Sequence, residues 1–400
     1  MAAEPVVDQL FAPEELTQNE SRKRAMMDLF VSQETVLIIG SGCSARLKYP
    51  TWPGLLSKLA DLARGIATDH DTEFRSVEPD PPQDLLRYAG EIKGFINRCD
   101  GKLDKYYSFL SGEFRERDID DFHRLLVKIP SRGILTTNYD PSLDLALALT
   151  DRSMMTVDRF LVIEDDSTRR VSEFLASLNR GSGVPRRVAH LHGRYDRPKT
   201  IILTDGDYVE KYHSRFNEAQ RQAIRDVFRD RTVGRQAISV EGLIDQLESG
   251  VPPWSLHRKL LWSILAMRRV VFIGFGLNDP YLGQMLELVT DDLWLWKEDH
   301  HFAIMALPDV DTAAAKSAAE RFRRKYAVGV VFYENREGQR HEGLNDLIEE
   351  IAIACAVPAE PTLVVRPPAA ASPVPAPAHR PEWINRNNQI SKKRASKDAD

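Results

Sequence analysis

Apolar positions along this chain fall into two kinds of run. The first kind is short and unbroken: "ETVLIIGSGCSA" around 34–45, "GILTTN" near 133–138, "RVAHLHG" at 187–193, "TIILT" at 200–204, "RRVVFIGFG" at 268–276, "HFAIMAL" at 301–307 and "VGVVFYE" at 328–334. Runs of this length, rich in β-branched residues and bounded by glycine or polar residues, predict strands buried on both faces. The second kind is longer and periodic, with apolar residues three and four apart. It predicts helices over about Pro13–Phe30 and Pro53–Gly65, and in "WSLHRKLLWSILAM", "DPYLGQMLELV", "AAAKSAAERFRRKY" and "GLNDLIEEIAIACA". Strands that alternate with helices imply an α/β protein, with a mostly parallel sheet covered by helices on both faces.

Two stretches interrupt the alternation. Residues from about 66 to 130 carry helical periodicity with few strand signals, as in "DLLRYAGEIKGFI" and "DDFHRLLVKI", and are expected to form an inserted layer that lids the sheet. Residues from about 214 to 253 read as a second, charged helical insertion. Together these make one domain over 1–357. Beyond it, 358–400 carries "RPPAAASPVPAPAHRP", a Pro/Ala linker that cannot pack a core, and closes on the basic, disordered-type "SKKRASKDAD".

Composition narrows the function classes. The 54 Lys and Arg against 59 Asp and Glu leave a net charge of -5, which argues against coating nucleic acid or membrane by bulk electrostatics. Nucleic acid would enter only indirectly or through the basic tail. Cys43, Cys99 and Cys355 lie far apart without a C-x-x-C pair, so neither a disulfide framework nor a cysteine zinc site is supported. The N-terminal residues lack a signal-peptide pattern, and no apolar run approaches bilayer length. The expectation is a cytoplasmic protein without a membrane partner.

The candidate chemistry sits at strand ends. In an open parallel sheet the carboxyl ends of the strands face the ligand crevice, and "ILTTNYD" spends its end on Thr136, Thr137, Asn138, Tyr139 and Asp140. Gly40, Gly42 and Ala45 satisfy G-x-G-x-x-G/A after the first strand, a pattern that brings backbone amides close to a pyrophosphate. The acidic residue expected about 20 positions on would be Asp61, inside a helix rather than at a strand end. Gly274 and Gly276 repeat the logic after another strand, with Asn278 placed to reach a ribose or phosphate and Asp279 reading as an N-cap. In "VAHLHGRYD" a strand places His190 and His192 on one face. A strand histidine is often a hydrogen-bonded core residue; at the mouth of a sheet it can also exchange protons near neutral pH. No nearby cysteine or carboxylate cluster completes a metal ligand set, so no metal is expected. Tyr139 suits core or ligand contact, Asp140 suits support of the site or a helix cap, and Trp52 suits core.

Taken in order, "GSGCS", "TTNYD", "HLHG" and "FIGFGLND" resemble the motifs of the sirtuin fold over roughly residues 30–310. In particular they resemble the bacterial sirtuin-like branch found as NAD-consuming effectors in anti-phage defence. The resemblance implies a Rossmann-like (sirtuin or DHS-like) fold and NAD+ as substrate. It implies that Gly40, Ser41, Gly42, Cys43, Ser44, Thr137, Asp140, Gly274, Phe275, Gly276 and Asn278 hold the dinucleotide, and that Asn138 and His192 are the catalytic pair. The chain departs from deacetylating sirtuins in lacking the four zinc cysteines, and reads "KYPTWPGL" where they carry P-D-F-R. The expected activity is therefore NAD+ glycohydrolysis to nicotinamide and ADP-ribose, gated by homo-oligomerisation or by a regulatory partner such as a ring ATPase or another defence component. The rivals are a protein deacylase or ADP-ribosyltransferase, and a non-catalytic NAD or ADP-ribose sensor.

Overall fold

The computed structural model describes residues 10–70, 72–75, 85–100, 103–150, 160–164, 167–179, 186–212, 255–275, 280–293, 298–336 and 341–356. The second insertion (214–253), the tail (358–400), Gly276 and Asn278 lie outside them. Seven strands form one sheet: β1 (Thr35–Ile39), β2 (Gly133–Thr136), β3 (Phe160–Val162), β4 (Val188–His190), β5 (Arg269–Ile273), β6 (His301–Pro308) and β7 (Val328–Asn335). Every pairing is parallel, in the order β3-β4-β2-β1-β5-β6-β7. On one side of β1 the chain runs to β2, out to the edge strand β3 and back to β4 between them; it then crosses to β5, β6 and β7 on the other side, so the order reverses beside β1, where open α/β sheets place their ligand crevice.

Alternation of side chains across β1 assigns its residues to opposite faces. Val36 and Ile38 join a core with Leu135, Phe272 and Val330. That core is covered by α7 (Thr168–Ser177), α8 (Asp205–Tyr212), α9 (Leu256–Met267), α10 (Pro280–Asp292) and α11 (Thr312–Tyr326). Leu37 and Ile39 join the opposite core with Ile134, Val271 and Phe302, covered by α1 (Pro13–Val31), α5 (Asp121–Leu126), α6 (Ser142–Thr150) and α12 (Glu342–Ala356). Both faces are thus buried, as the unbroken apolar runs require.

A third packed unit has other bounds than the insertion expected over about 66–130: it takes in the helix before that range, and α5 within the range packs on the sheet instead. Helices α2 (Trp52–Asp69), α3 (Leu85–Asp100) and α4 (Asp104–Glu113) share a core with Tyr49, Phe114, Tyr139, Ile201 and Leu203. Thr51 caps α2 by accepting from Gly54 N–H, with Pro53 in the first turn. Because Tyr139, Ile201 and Leu203 lie in loops that leave the sheet, this layer is clamped to the crevice rim by apolar packing.

Two local expectations need correction, and one strand was not expected. "TIILT" is no strand: Pro198–Thr200 is a turn of 3-10 helix, Ile202 N–H donates to His192 O, and the amides of Leu203 and Thr204 donate to Asp207 Oδ2. Its apolar side chains are buried, but its backbone is satisfied by turns and a cap instead of a ladder. The strand through "RVAHLHG" stops at His190, so His192 stands in the following turn and does not share a strand face with it. Finally, β3 is a three-residue strand embedded in polar sequence that periodicity does not reveal.

Burial also sets a pH limit on this fold. It holds His257 down to about 3, with Lys211 and His192 adding to the effect; it holds His300 down to about 4, with Arg269 adding; and it holds His301 well below the usual histidine range. Unfolded histidines titrate near 6.5, so between that value and about 3 the unfolded chain binds more protons than the folded one. Stability contributed by the neutral rings is therefore present above pH ~6.5 and lost as pH falls through that window. The expected result is a melting temperature that declines steadily from pH 7.5 to pH 5, read by calorimetry.

Candidate active site

Four of the predicted motifs leave the sheet from a single rung. Ile39 of β1 pairs with Thr136 of β2 and with Ile273 of β5, and Thr136 pairs with His190 of β4. The next residues are Gly40, Thr137, Gly274 and Leu191; one further on stand Ser41, Asn138, Phe275 and His192. Asn138 and His192 therefore occupy equivalent positions, each two residues past a paired rung on adjacent parallel strands.

Asn138 is held from three directions. Its N–H donates to Thr136 Oγ1 at 3.0 Å, while that hydroxyl donates to Ile39 O at 2.8 Å. Its Nδ2 donates to Gly40 O at 3.1 Å and contacts Ser44 Oγ at 2.8 Å. The Gly40 carbonyl can only accept, which fixes the orientation of the amide. Oδ1 is then a buried acceptor with no hydrogen-bond partner among the described residues, available to a ligand hydroxyl or an attacking water.

The glycines at 40 and 42 let the first loop lie directly on the loop after β5. Gly40 N–H donates to Ile273 O and Gly42 N–H to Gly274 O. A Cβ at Gly40 would stand 2.7 Å from Gly274 O, and one at Gly42 2.9 Å from the same oxygen. Gly274 itself has φ +71°, and its Cβ would meet Cys43 Sγ at 2.6 Å. The amides of Cys43, Ser44 and Ala45 are committed within the loop, and Ser41 and Gly42 form its exposed tip. Cys43 is buried, and burial pushes its thiol up to about 12, so it packs as an apolar side chain and is no nucleophile.

His192 is buried in an aromatic setting. Its Nδ1 lies 3.4 Å from the Tyr208 hydroxyl, and the rings of Tyr208 and Tyr212 meet it edge-on at 5.1 and 5.8 Å. Thr137, Leu191, His192, Tyr212 and Phe275 line a narrow cavity of about 10 Å³, room for roughly one water. Tyr208 and Tyr212 were not foreseen; their spacing of four on α8 was the available signal. Gly193 follows with φ +85°.

The remaining candidates have structural partners. Asp140 is buried and its Oδ1 accepts from Ser142 N–H, the helix-cap alternative. Tyr139 is core, its hydroxyl donating to Ile202 O, and Trp52 packs against the lid core. Among the described residues no group of three or more His, Cys, Asp or Glu is placed to hold a metal ion, and no helix is long and apolar enough to cross a membrane.

Fold and rim together define a doubly wound α/β protein whose crevice is furnished with an asparagine and a His-Gly turn, and residues 132–234 match the family model of the SIR2-like domain. Two curated relatives extend the similarity. The chain is 24% identical to the NAD(+) hydrolase ThsA of Enterococcus faecium over 271 residues, which is 67% of this chain and 42% of that protein. It is also 24% identical to the NAD(+) hydrolase ThsA of Bacillus cereus (strain MSX-D12) over 183 residues, which is 46% of this chain and 32% of that protein. The matches therefore span less than half the length of either relative. The sirtuin-like resemblance of the motifs is supported by these matches.

Proposed function

We propose that this chain is an NAD+ glycohydrolase that uses water to cleave the nicotinamide–ribose bond, releasing nicotinamide, ADP-ribose and a proton. The observation that carries the reading is the single rung from which the Gly40, Asn138, His192 and Gly274 loops all depart; the names of the two relatives supply the substrate class. Such a cleavage passes through an oxocarbenium-like sugar, which is served by orientation and hydrogen bonding more than by a strong nucleophile. The open Oδ1 of Asn138 is an acceptor for the ribose hydroxyl or the water. His192 draws off the proton as positive charge passes from the sugar to the attacking oxygen. The Gly40–Ser44 loop, Thr137 and the Gly274–Phe275 turn grip the dinucleotide, and the resemblance adds Gly276 and Asn278, which lie outside the described residues, to the same set.

The resemblance carries the reading further, to a gated NAD-depleting effector of anti-phage defence working in the cytoplasm, held in check by self-assembly or a protein partner. Net charge of -5 leaves direct nucleic-acid recognition to the tail at most. Incubation of the purified full chain with NAD+, with nicotinamide and ADP-ribose followed chromatographically, tests the activity. Stoichiometric free ADP-ribose is expected. Nicotinamide release that requires an acceptor would instead assign transfer, and tight binding without turnover would assign a sensor. Induced expression should lower cellular NAD+ in a manner that depends on Asn138.

A further inference from the structure

Behind Asn138 lies a group of charges that the reaction scheme does not use. His190 closes β4 with no exposure to solvent, and its ring spans two acceptors. Nδ1 is 3.1 Å from the main-chain carbonyl of Asn138, and Nε2 is 3.0 Å from Asp144 Oδ2. A carbonyl and an ionised carboxylate offer lone pairs only. Both contacts are hydrogen bonds at once only if both ring nitrogens carry protons.

The surroundings suit that state. Arg194 brings its Nε within 3.0 Å of the same Asp144 oxygen, pairs with Asp196, and lies over the Phe160 ring at 4.2 Å. With the ring charged, two cations would face two carboxylates, which offsets the penalty for burying an imidazolium. The groups facing His190 are the Asn138 carbonyl from the loop after β2, Asp144 from α6, the edge-on Phe160 ring from β3, and, through Asp144, Arg194 from the loop after β4. Asp144 belongs to the helix that follows the asparagine loop, and Arg194 to the turn that carries His192. The cluster thus ties the two loops together from below.

We infer that His190 is a positioning residue: a doubly protonated imidazole, held by Asp144 and Arg194, that fixes the main chain of Asn138 through its carbonyl. The amide of Asn138 already has its donors committed to Gly40 and Ser44, so the placement of Oδ1 follows the main chain. A displacement of about 1 Å at a reacting centre lowers the rate by about 10²-fold. The consequence for turnover rests on the glycohydrolase reading; the protonation state of the ring does not.

Two measurements separate these. Nitrogen-15 NMR of the histidine side chains in the full chain, with His190 assigned by its loss in His190→Gln, should show both ring nitrogens protonated at pH 7.5; a neutral tautomer there overturns the inference whatever the activity. In turnover assays, His190→Gln and Asp144→Asn should each lower kcat about 10–100-fold with KM little changed, and the double variant should be no worse than the poorer single one, because the pair acts as a unit. A His190→Gln protein that melts lower yet keeps its kcat per folded molecule overturns the positioning role and leaves the glycohydrolase reading standing. A wild-type protein that releases no nicotinamide removes that reading, while the NMR result still decides the charge on the ring.

Discussion

His192→Ala is expected to release nicotinamide from NAD+ about 10²–10⁴-fold more slowly than the wild type, the loss typical of removing a positioned acid or base. Asn138→Ala should fall comparably, because its Oδ1 is a buried acceptor at the rim with no partner among the described residues. The two variants differ in what else they disturb. Truncating Asn138 removes one of the two bonds to the Gly40 carbonyl, which keeps Cys43 N–H, and leaves the buried Ser44 hydroxyl without its amide partner, which costs about 1–3 kcal/mol of stability. Truncating His192 removes a ring packed between Tyr208 and Tyr212; His192→Gln keeps part of that volume and a hydrogen-bonding group but does not titrate. Rates must therefore be normalised to folded protein, by melting each variant alongside the assay. A His192→Gln enzyme at near wild-type rate would falsify proton transfer through this residue, and an Asn138→Ala enzyme at that rate would remove the asparagine from the mechanism.

The sheet was legible wherever a strand is buried on both faces and long enough to show it. "VLII", "VVFI", "FAIMAL" in β6 and "VGVVF" in β7 are unbroken apolar runs because helices cover both sides. Phe160–Val162 escaped because three residues carry no period. "TIILT" misled for the opposite reason: its burial is real, but Ile201 and Leu203 face the helical layer and Ile202 the sheet core while the loop turns on itself, and apolar composition reports burial without reporting which backbone groups pair. The rim was legible because glycine, Asn138 and His192 each follow an apolar run, and the end of a parallel strand is a defined place. The partner of the first glycine loop was not. That Gly40 and Gly42 make room for Gly274, far along the chain, depends on β1 lying beside β5, which strand order alone decides. Asp144 was equally hidden: in "PSLDLALAL" it is one polar position on an apolar helix, and only the β2–β4 register brings His190 and Arg194 onto it.

Gly193→Ala should be the most damaging of the conservative substitutions near the site, lowering stability by about 3 kcal/mol or more. Gly193 has φ +85°, where an L side chain is strained, and a Cβ there would stand 2.2 Å from Thr200 O, 2.4 Å from Thr200 C and 2.6 Å from Ile201 N. These are backbone atoms, so no rotamer relieves the clash. The segment they belong to cannot drift away cheaply either: Thr200 N–H donates to Arg197 O, Arg197 N–H to Arg194 O, and Ile202 N–H to His192 O. Accommodating a methyl group means opening this turn, and the turn carries His192 on one side and Arg194 on the other. Gly206, in the first turn of α8, is the matched control. Its Cβ would have no neighbour closer than 3.7 Å, so Gly206→Ala should be neutral or add a few tenths to about 1 kcal/mol through helix propensity. Urea denaturation of both variants, with nicotinamide release measured below the transition, compares them directly. Equal stabilities would mean that Gly193 is not in the left-handed turn, and the placement of His192 one residue before it would fall with that geometry.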